Sequence, residues 1–154
     1  MSIRIHGIST DEHERFRRGD LDANGQPPLI TRAEGPANPC RHCLALIDPG
    51  DDMLILAYRP FSGLHPYAEI GPIFLHAGRC SRYDAGAPPA WFDYLEPALI
   101  RGYDANDWIR YDTAHVVPGV NIAASCDVIL HDSSVAYVHV RSKYNCFQCR
   151  VERR

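Results

Sequence analysis

The stretch Met53-Leu54-Ile55-Leu56-Ala57-Tyr58, followed by Arg59-Pro60-Phe61-Ser62-Gly63, decides the fold class. A continuous apolar run of this length is typical of a buried strand, and the proline and glycine that follow end it. A second apolar run covers residues 70–76. We therefore expect these two runs to be neighbouring strands of one sheet.

Further strand patterns surround this pair. They cover residues 3–8, 98–103, 108–117 and 135–144. Helical patterns are fewer and shorter: Ser9 or Thr10 precedes a charged segment that runs to about residue 18, and residues 120–131 repeat apolar side chains at three- and four-residue spacing. Because strands outnumber helices without regular alternation, the sequence predicts an α+β fold, with a mostly antiparallel sheet and two or three short helices packed on one face.

Two segments are less regular. Asn38-Pro39 resembles a helix start and Asp48-Pro49-Gly50 a stop, so residues 40–47 are interpreted as a short helix, with an extended conformation as the alternative. Residues 20–38 contain Asn-Gly, Pro-Pro and Gly-Pro pairs and are predicted to form an irregular loop.

Length and charge exclude several classes of protein. With 154 residues and a formal net charge of -3, the chain fits a single domain over 1–154 and lacks the basic surface of a nucleic-acid binder. No apolar run is long enough to cross a membrane, and residues 1–6 lack the apolar core of a signal peptide. We expect a cytosolic protein without nucleic-acid or membrane partners.

Two Cys-x-x-Cys motifs carry the clearest chemistry. The simplest hypothesis is a structural zinc site, to which Cys40 with Cys43 and Cys146 with Cys149 could supply four thiolates. About 100 residues separate the motifs, and on a strand Cys146 and Cys149 would point to opposite faces. A rival set therefore combines Cys40 and Cys43 with two residues of His76-Ala77-Gly78-Arg79-Cys80, namely His76 and Cys80.

Thiol redox chemistry is an alternative use of the first motif. A helix start, Arg41 and a protonated His42 would all favour the thiolate of Cys40. The motif resembles the centre of disulfide isomerases in these four residues only, and the strand-helix-strand segment that precedes it in thioredoxin folds is missing. The plainest alternative is a set of buried free thiols, which suits Cys126 best.

A second candidate site combines polar and aromatic residues. Proline-rich loops around the central strands indicate a pocket for a small molecule, whether bound or converted. Its predicted lining residues are Arg59, Tyr67, Glu69, His76 and Arg141. An ion pair between Arg59 and Glu69 is the simpler interpretation. A third possibility is an interaction module that forms a homodimer through the last strand.

Three blocks of sequence resemble one family. They are Pro39-Cys40-Arg41-His42-Cys43-Leu44, then Pro66-Tyr67 with Gly71-Pro72-Ile73-Phe74, and finally Tyr137-Val138-His139-Val140-Arg141 with Asn145-Cys146. In this order they are similar to an uncharacterised bacterial family, the domain of unknown function numbered 1203, and the resemblance runs from about residue 3 to residue 153.

The resemblance implies which cysteines matter. It implies matches at Cys40, Arg41, Tyr67 and Cys146, whereas some members differ at the positions of Cys43 and Cys149. It therefore favours Cys40 with Cys146 as a contact, a disulfide or a reactive thiol with its partner over zinc bound by four cysteines. It implies no reaction.

Overall fold

The computed structural model describes residues 2–154. Met1, the first residue of the segment that lacks the apolar core of a signal peptide, lies outside the described residues. Along the chain follow β1 (Ile3–His6), α1 (Thr10–Arg17), β2 (Leu29–Arg32), β3 (Asp52–Tyr58), β4 (Gly71–His76), β5 (Asp84–Ala85), β6 (Ala98–Tyr103), β7 (Ile109–Val117), α2 (Ile122–Leu130), β8 (Tyr137–Ser142) and β9 (Phe147–Arg153), with 3₁₀ helices at Ala90–Tyr94 and Gly119–Asn121.

The strands form two antiparallel sheets. The larger sheet has the order β5-β1-β9-β8-β6-β7 and the smaller one the order β2-β3-β4. In the smaller sheet Leu54 pairs with Leu75 and Leu56 with Ile73, so the two apolar runs are neighbours as predicted. The predicted α+β class with mostly antiparallel strands is confirmed.

The larger sheet buries one face under α2. Val138 and Val140 of β8 pack with Ile100 of β6 against Cys126 and Leu130 of α2. Because side chains alternate along a strand, Tyr137, His139 and Arg141 point to the opposite face, and all three are buried there rather than exposed to solvent.

The smaller sheet and α1 enclose a second apolar core. Ser9 caps α1 by accepting a hydrogen bond from Glu12 N at 3.1 Å, and the Glu12 carboxylate accepts one from Ser9 N at 3.0 Å. This cap fixes the start of the helix, so that Phe16 meets Tyr58 edge-on at 6.4 Å between ring centroids. Cys40, Leu54 and Leu75 belong to the same core.

Two segments differ from the prediction. Residues 40–47 form a tight turn and not a helix, since Pro39 and Leu46 pair as an antiparallel bridge on either side of it. Within the predicted loop 20–38 lies the edge strand β2, whose four side chains are all exposed. Such a strand shows no apolar alternation and forms because β3 offers its edge.

Neither α-helix in residues 2–154 approaches the length of a membrane span. The longer one, α2, has nine residues.

Candidate metal centre

The first Cys-x-x-Cys motif lies on the tight turn. Leu44 N donates to the Cys40 carbonyl at 2.8 Å, and Cys40 N donates to the Ala45 carbonyl at 2.9 Å. Leu44 has a φ of 55°, in the left-handed region that a leucine rarely adopts. The side chain of Leu44 is buried in the core of the larger sheet, and this burial offsets the backbone strain. The turn presents both sulfurs on one side.

The end of β4 supplies the other half of the site. Cys40 pairs with Phe74 as an isolated parallel bridge, and Arg41 N donates to the Phe74 carbonyl at 3.0 Å. The turn is thereby held alongside the last residues of β4. His76 N donates to Cys40 Sγ at 3.3 Å, so the strand end also contributes a backbone hydrogen bond to the sulfur.

Four side-chain donor atoms converge here. Cys40, Cys43, His76 and Cys80 each offer one atom, and all four atoms lie within 4.8 Å of one another. Cys40 Sγ is 3.9 Å from Cys80 Sγ, and Cys43 Sγ is 3.4 Å from His76 Nδ1. Cys40 is fully buried and the other three residues are half-buried, so the group lies at the edge of the second core.

The three thiols perturb one another's protonation. Hydrogen bonds from the Cys43 and Cys80 thiols lower the pKa of Cys40 far below its ordinary value. The same contacts with Cys40 raise the pKa of Cys43 and of Cys80. The neighbouring Cys40 sulfur also raises the pKa of His76. One thiolate is therefore favoured in the absence of a cation, and a cation at the centre would favour three.

Two buried histidines lie behind Cys80. His42 Nδ1 is 3.1 Å from Cys80 Sγ, while its Nε2 is 2.9 Å from Thr10 Oγ1. His13 Nε2 donates to the His76 carbonyl at 2.9 Å, and the His13 and His42 rings lie 4.4 Å apart. His13, His42 and Cys80 also satisfy the geometry of a metal-binding group, so Cys80 is shared by two clusters.

The surroundings of His42 differ from those that the redox interpretation requires. Burial and the adjacent His13 lower the pKa of His42, which disfavours the imidazolium. Cys40 lies in an isolated bridge and at no helix start. Two of the three expected sources of thiolate stabilisation, the helix start and the imidazolium, are therefore absent, whereas Arg41 does interact electrostatically with Cys40.

The second Cys-x-x-Cys motif lies elsewhere. Asn145, with φ 65°, turns the chain from β8 into β9, and Cys146 lies on the wall of a surface cavity while Cys149 is buried near Cys126 under α2. All six cysteines are free, so a disulfide between Cys40 and Cys146, one of the three relations that the resemblance left open, is not formed. Arg41 instead interacts electrostatically with both thiols.

The five residues of the predicted small-molecule pocket do not share one site. Glu69 pairs with Arg141 and, at 2.6 Å, with Arg101, instead of with Arg59. Arg59 lines a separate cavity beside Phe61, and Tyr67 packs on Trp108 at 5.3 Å. His76 belongs to the cysteine cluster. Only Glu69 and Arg141 remain together.

The sequence patterns did not predict that His13 and His42 lie near Cys80. Because His42 lies within the first Cys-x-x-Cys motif, its closeness to the cysteine cluster could have been inferred. His13 precedes Phe16 by three residues on α1, which places both on the buried face of the helix. The position of His13 on a buried helix face was the sequence feature that could have indicated its role.

The comparisons with known proteins identify a family and nothing more specific. The model of the family described as "Protein of unknown function (DUF1203)" matches residues 37–153. No match was found among curated proteins or among solved structures. The matched range includes all four donor residues of the cysteine cluster.

Proposed function

We propose that this chain, which belongs to the DUF1203 family of proteins of unknown function, is a zinc-binding domain whose metal is held by Cys40, Cys43, His76 and Cys80. The observation that carries the proposal is the convergence of four donor atoms within 4.8 Å from three places in the chain. Cysteines that serve only to fill the core would not be expected to place their sulfurs around one common point.

The donor set and its dimensions favour zinc. Three thiolates and one imidazole form a common tetrahedral zinc set, with Zn–S of about 2.3 Å and Zn–N of about 2.0 Å. In such a tetrahedron neighbouring sulfurs lie about 3.8 Å apart, close to the 3.9 Å between Cys40 Sγ and Cys80 Sγ. The backbone donor at His76 N and the His42 ring would orient the sulfurs and stabilise their charge.

The arrangement supports a structural role for the ion. A catalytic zinc usually keeps one position open for water, whereas here the protein supplies all four ligands. The ion would join the turn at Cys40 and Cys43 to the end of β4 and to the loop at Cys80. It would thus fix three backbone segments at the edge of the second core, where no disulfide does so among the described residues.

Metal analysis of the purified chain tests the proposal. We expect about one zinc per chain after purification without added metal, and a cobalt-substituted form with the visible absorption of a tetrahedral thiolate site. Cys80→Ser is expected to lose most of the bound zinc, because it removes one ligand of the set.

Cys126→Ser is the matched control, since Cys126 is a buried thiol of α2 in the core that contains none of the four donors. It is expected to keep the full zinc content. Zinc-free wild-type protein with intact thiols would contradict the proposal, and so would equal zinc content in Cys80→Ser and wild type.

A further inference from the structure

A mainly apolar cavity is lined by Arg41, the residue that follows Cys40 in the chain. Its volume is about 640 Å³, and its walls include Phe74, Trp91, Tyr94 and Tyr144. Tyr94 and Tyr144 are 85% and 76% exposed, so their rings are available to a bound molecule. Trp91 is fixed by its Nε1, which donates to the Leu44 carbonyl at 2.6 Å. The cavity is large enough for a small organic molecule.

Arg41 brings a positive charge without a carboxylate partner to this cavity. The residue is 3% exposed and forms no ion pair with any described carboxylate, and its electrostatic partners are cysteine thiols. Its Nε donates to the Phe147 carbonyl at 2.6 Å and its Nη1 to the Pro39 carbonyl at 2.7 Å. Nη2 makes no hydrogen bond within residues 2–154. Because buried charges are normally paired, this guanidinium is suited to an anion.

Gln148 adds a second unsatisfied polar group. It is 3% exposed and lines the same cavity, and its Nε2 donates to the Cys146 carbonyl at 3.2 Å. Its Oε1 is buried without a hydrogen-bond partner among the described residues. A buried acceptor in this state is costly unless a ligand or water donates to it. It is therefore suited to a hydroxyl or amine on the same ligand.

We propose that this cavity binds a small organic anion with a planar apolar body, whose carboxylate or similar acid group pairs with Arg41 and whose hydroxyl or amine donates to Gln148. The aromatic walls cover the planar body, and the polar groups fix its orientation. This site is separate from the metal centre and does not depend on the identity of the metal.

The rim of the cavity provides opposite charges for the test. Lys143 and Glu96 both line the cavity and are exposed. If the ligand is an anion, Lys143 should favour binding and Glu96 should oppose it. Arg41 also lies near Cys40, so the alternative is that its charge only balances the thiolates of the metal centre.

Two probes of nearly equal shape distinguish these roles. The anionic 8-anilinonaphthalene-1-sulfonate and the uncharged N-phenyl-1-naphthylamine are titrated by fluorescence into the full, metal-loaded chain. We expect the anionic probe to bind at least about tenfold more tightly than the uncharged one, because one charge-assisted hydrogen bond to Arg41 provides about this difference in affinity. Equal affinity for the two probes would overturn the proposal and leave Arg41 with charge balance alone.

Variants locate the probe. Arg41→Gln should abolish the preference for the anion, while Lys143→Gln should weaken and Glu96→Gln should strengthen its binding, each by about two- to fivefold. The two rim variants keep the test decisive if Arg41→Gln fails to fold, because both side chains are exposed.

A matched pair of exposed tyrosines controls for nonspecific binding. Tyr94→Ala should reduce the binding of both probes, whereas Tyr111→Ala, which removes a 70% exposed tyrosine outside the cavity, should not. An equal loss in both variants, or none in Tyr94→Ala, would show that the probe binds elsewhere and would overturn the assignment.

Discussion

At the scale of single residues, a buried charge needs a counter-charge more than an exposed one does. Arg141 has a side chain that is 3% exposed, and its guanidinium contacts the Glu69 carboxylate and donates to the Asn145 carbonyl at 3.0 Å. Glu69 is held by Arg101 as well. Removing this acid would leave Arg141 buried without a counter-charge, which costs far more than losing a surface ion pair.

We therefore expect Glu69→Gln to lower the free energy of unfolding by about 2 kcal/mol, a value reduced from that of a fully buried pair because Glu69 is partly exposed. Urea denaturation measures it. Asp84→Asn, which breaks the exposed pair with Arg4, is the control and should have a much smaller effect. Equal losses in the two variants would show that burial of Arg141 does not matter.

Glu152 gives a prediction about acid stability. Hydrogen bonding with His6 and the charge of Arg150 lower the pKa of Glu152 to about 2, from an ordinary value of 4.5. Between these pH values the unfolded chain binds more protons at this residue, so its stabilising contribution is present above pH 4.5 and is lost as pH falls towards 2.

Glu152→Gln should therefore remove about 1 kcal/mol of the acid-induced loss of stability, after allowing for solvent screening at this partly exposed group. The measurement is the difference in unfolding free energy between wild type and variant at neutral and acid pH. If both proteins lose stability in parallel over that range, the pKa of Glu152 is not lowered in the folded state.

The sequence could identify the donor types of the candidate metal centre but not their final combination. The spacing of Cys40 and Cys43, and the four-residue offset between His76 and Cys80, made both pairs visible as candidates. Choosing them over Cys146 and Cys149 depends on the bridge between Cys40 and Phe74, a contact between distant parts of the chain. Patterns within a short stretch of sequence do not indicate such a contact.

At the scale of elements, the segment after β1 supports the turn that carries Cys40 and Cys43, two ligands of the proposed zinc site. Ile8 N donates to the Arg41 carbonyl at 2.9 Å, and Tyr83 N donates to the His42 carbonyl at 2.9 Å. Gly7 lies between these bonds, and a Cβ added there would be 2.1 Å from the His42 carbonyl oxygen and 2.6 Å from that of Arg41. Backbone atoms of a tight turn cannot yield by such a distance without moving the sulfurs.

We expect Gly7→Ala to destabilise the fold by about 2 to 3 kcal/mol, as overpacking does, and to weaken zinc binding at least about tenfold. Competition with a chromophoric chelator measures the affinity. Gly63→Ala is the control, because a Cβ there meets no atom within 4 Å. Unchanged zinc affinity in a destabilised Gly7→Ala protein would show that β1 does not position the turn.

Elements with an apolar pattern were predictable and those formed by pairing alone were not. β3 and β4 have buried runs that define them, and Ser9 with Glu12 marks the start of α1. The strand β2 exposes all its side chains, and the turn at Cys40 resembles a helix start because Asn38-Pro39 suits both. In these two segments, backbone hydrogen bonds to distant strands decide the structure.

At the scale of the whole molecule, the two apolar cores would respond differently to the metal. The core under α2 is built from β1, β6, β8 and β9 and contains none of the four donors. The second core includes Cys40, with Cys43 and Cys80 packed against it. An ion at the centre would therefore stabilise the smaller sheet and the turn more directly than the larger sheet.

Hydrogen exchange on the intact chain tests this asymmetry. After chelation we expect faster exchange in residues 37–47 and 71–83, because the turn, β4 and the loop at Cys80 lose their common anchor, while β6 and β8 keep their protection under α2. Mass spectrometry of peptides resolves these regions. Cys43→Ser should reproduce the pattern without chelator, and Cys126→Ser should not. A uniform increase over both sheets would instead mean that the two cores unfold as one unit, and the metal would then act on global stability alone.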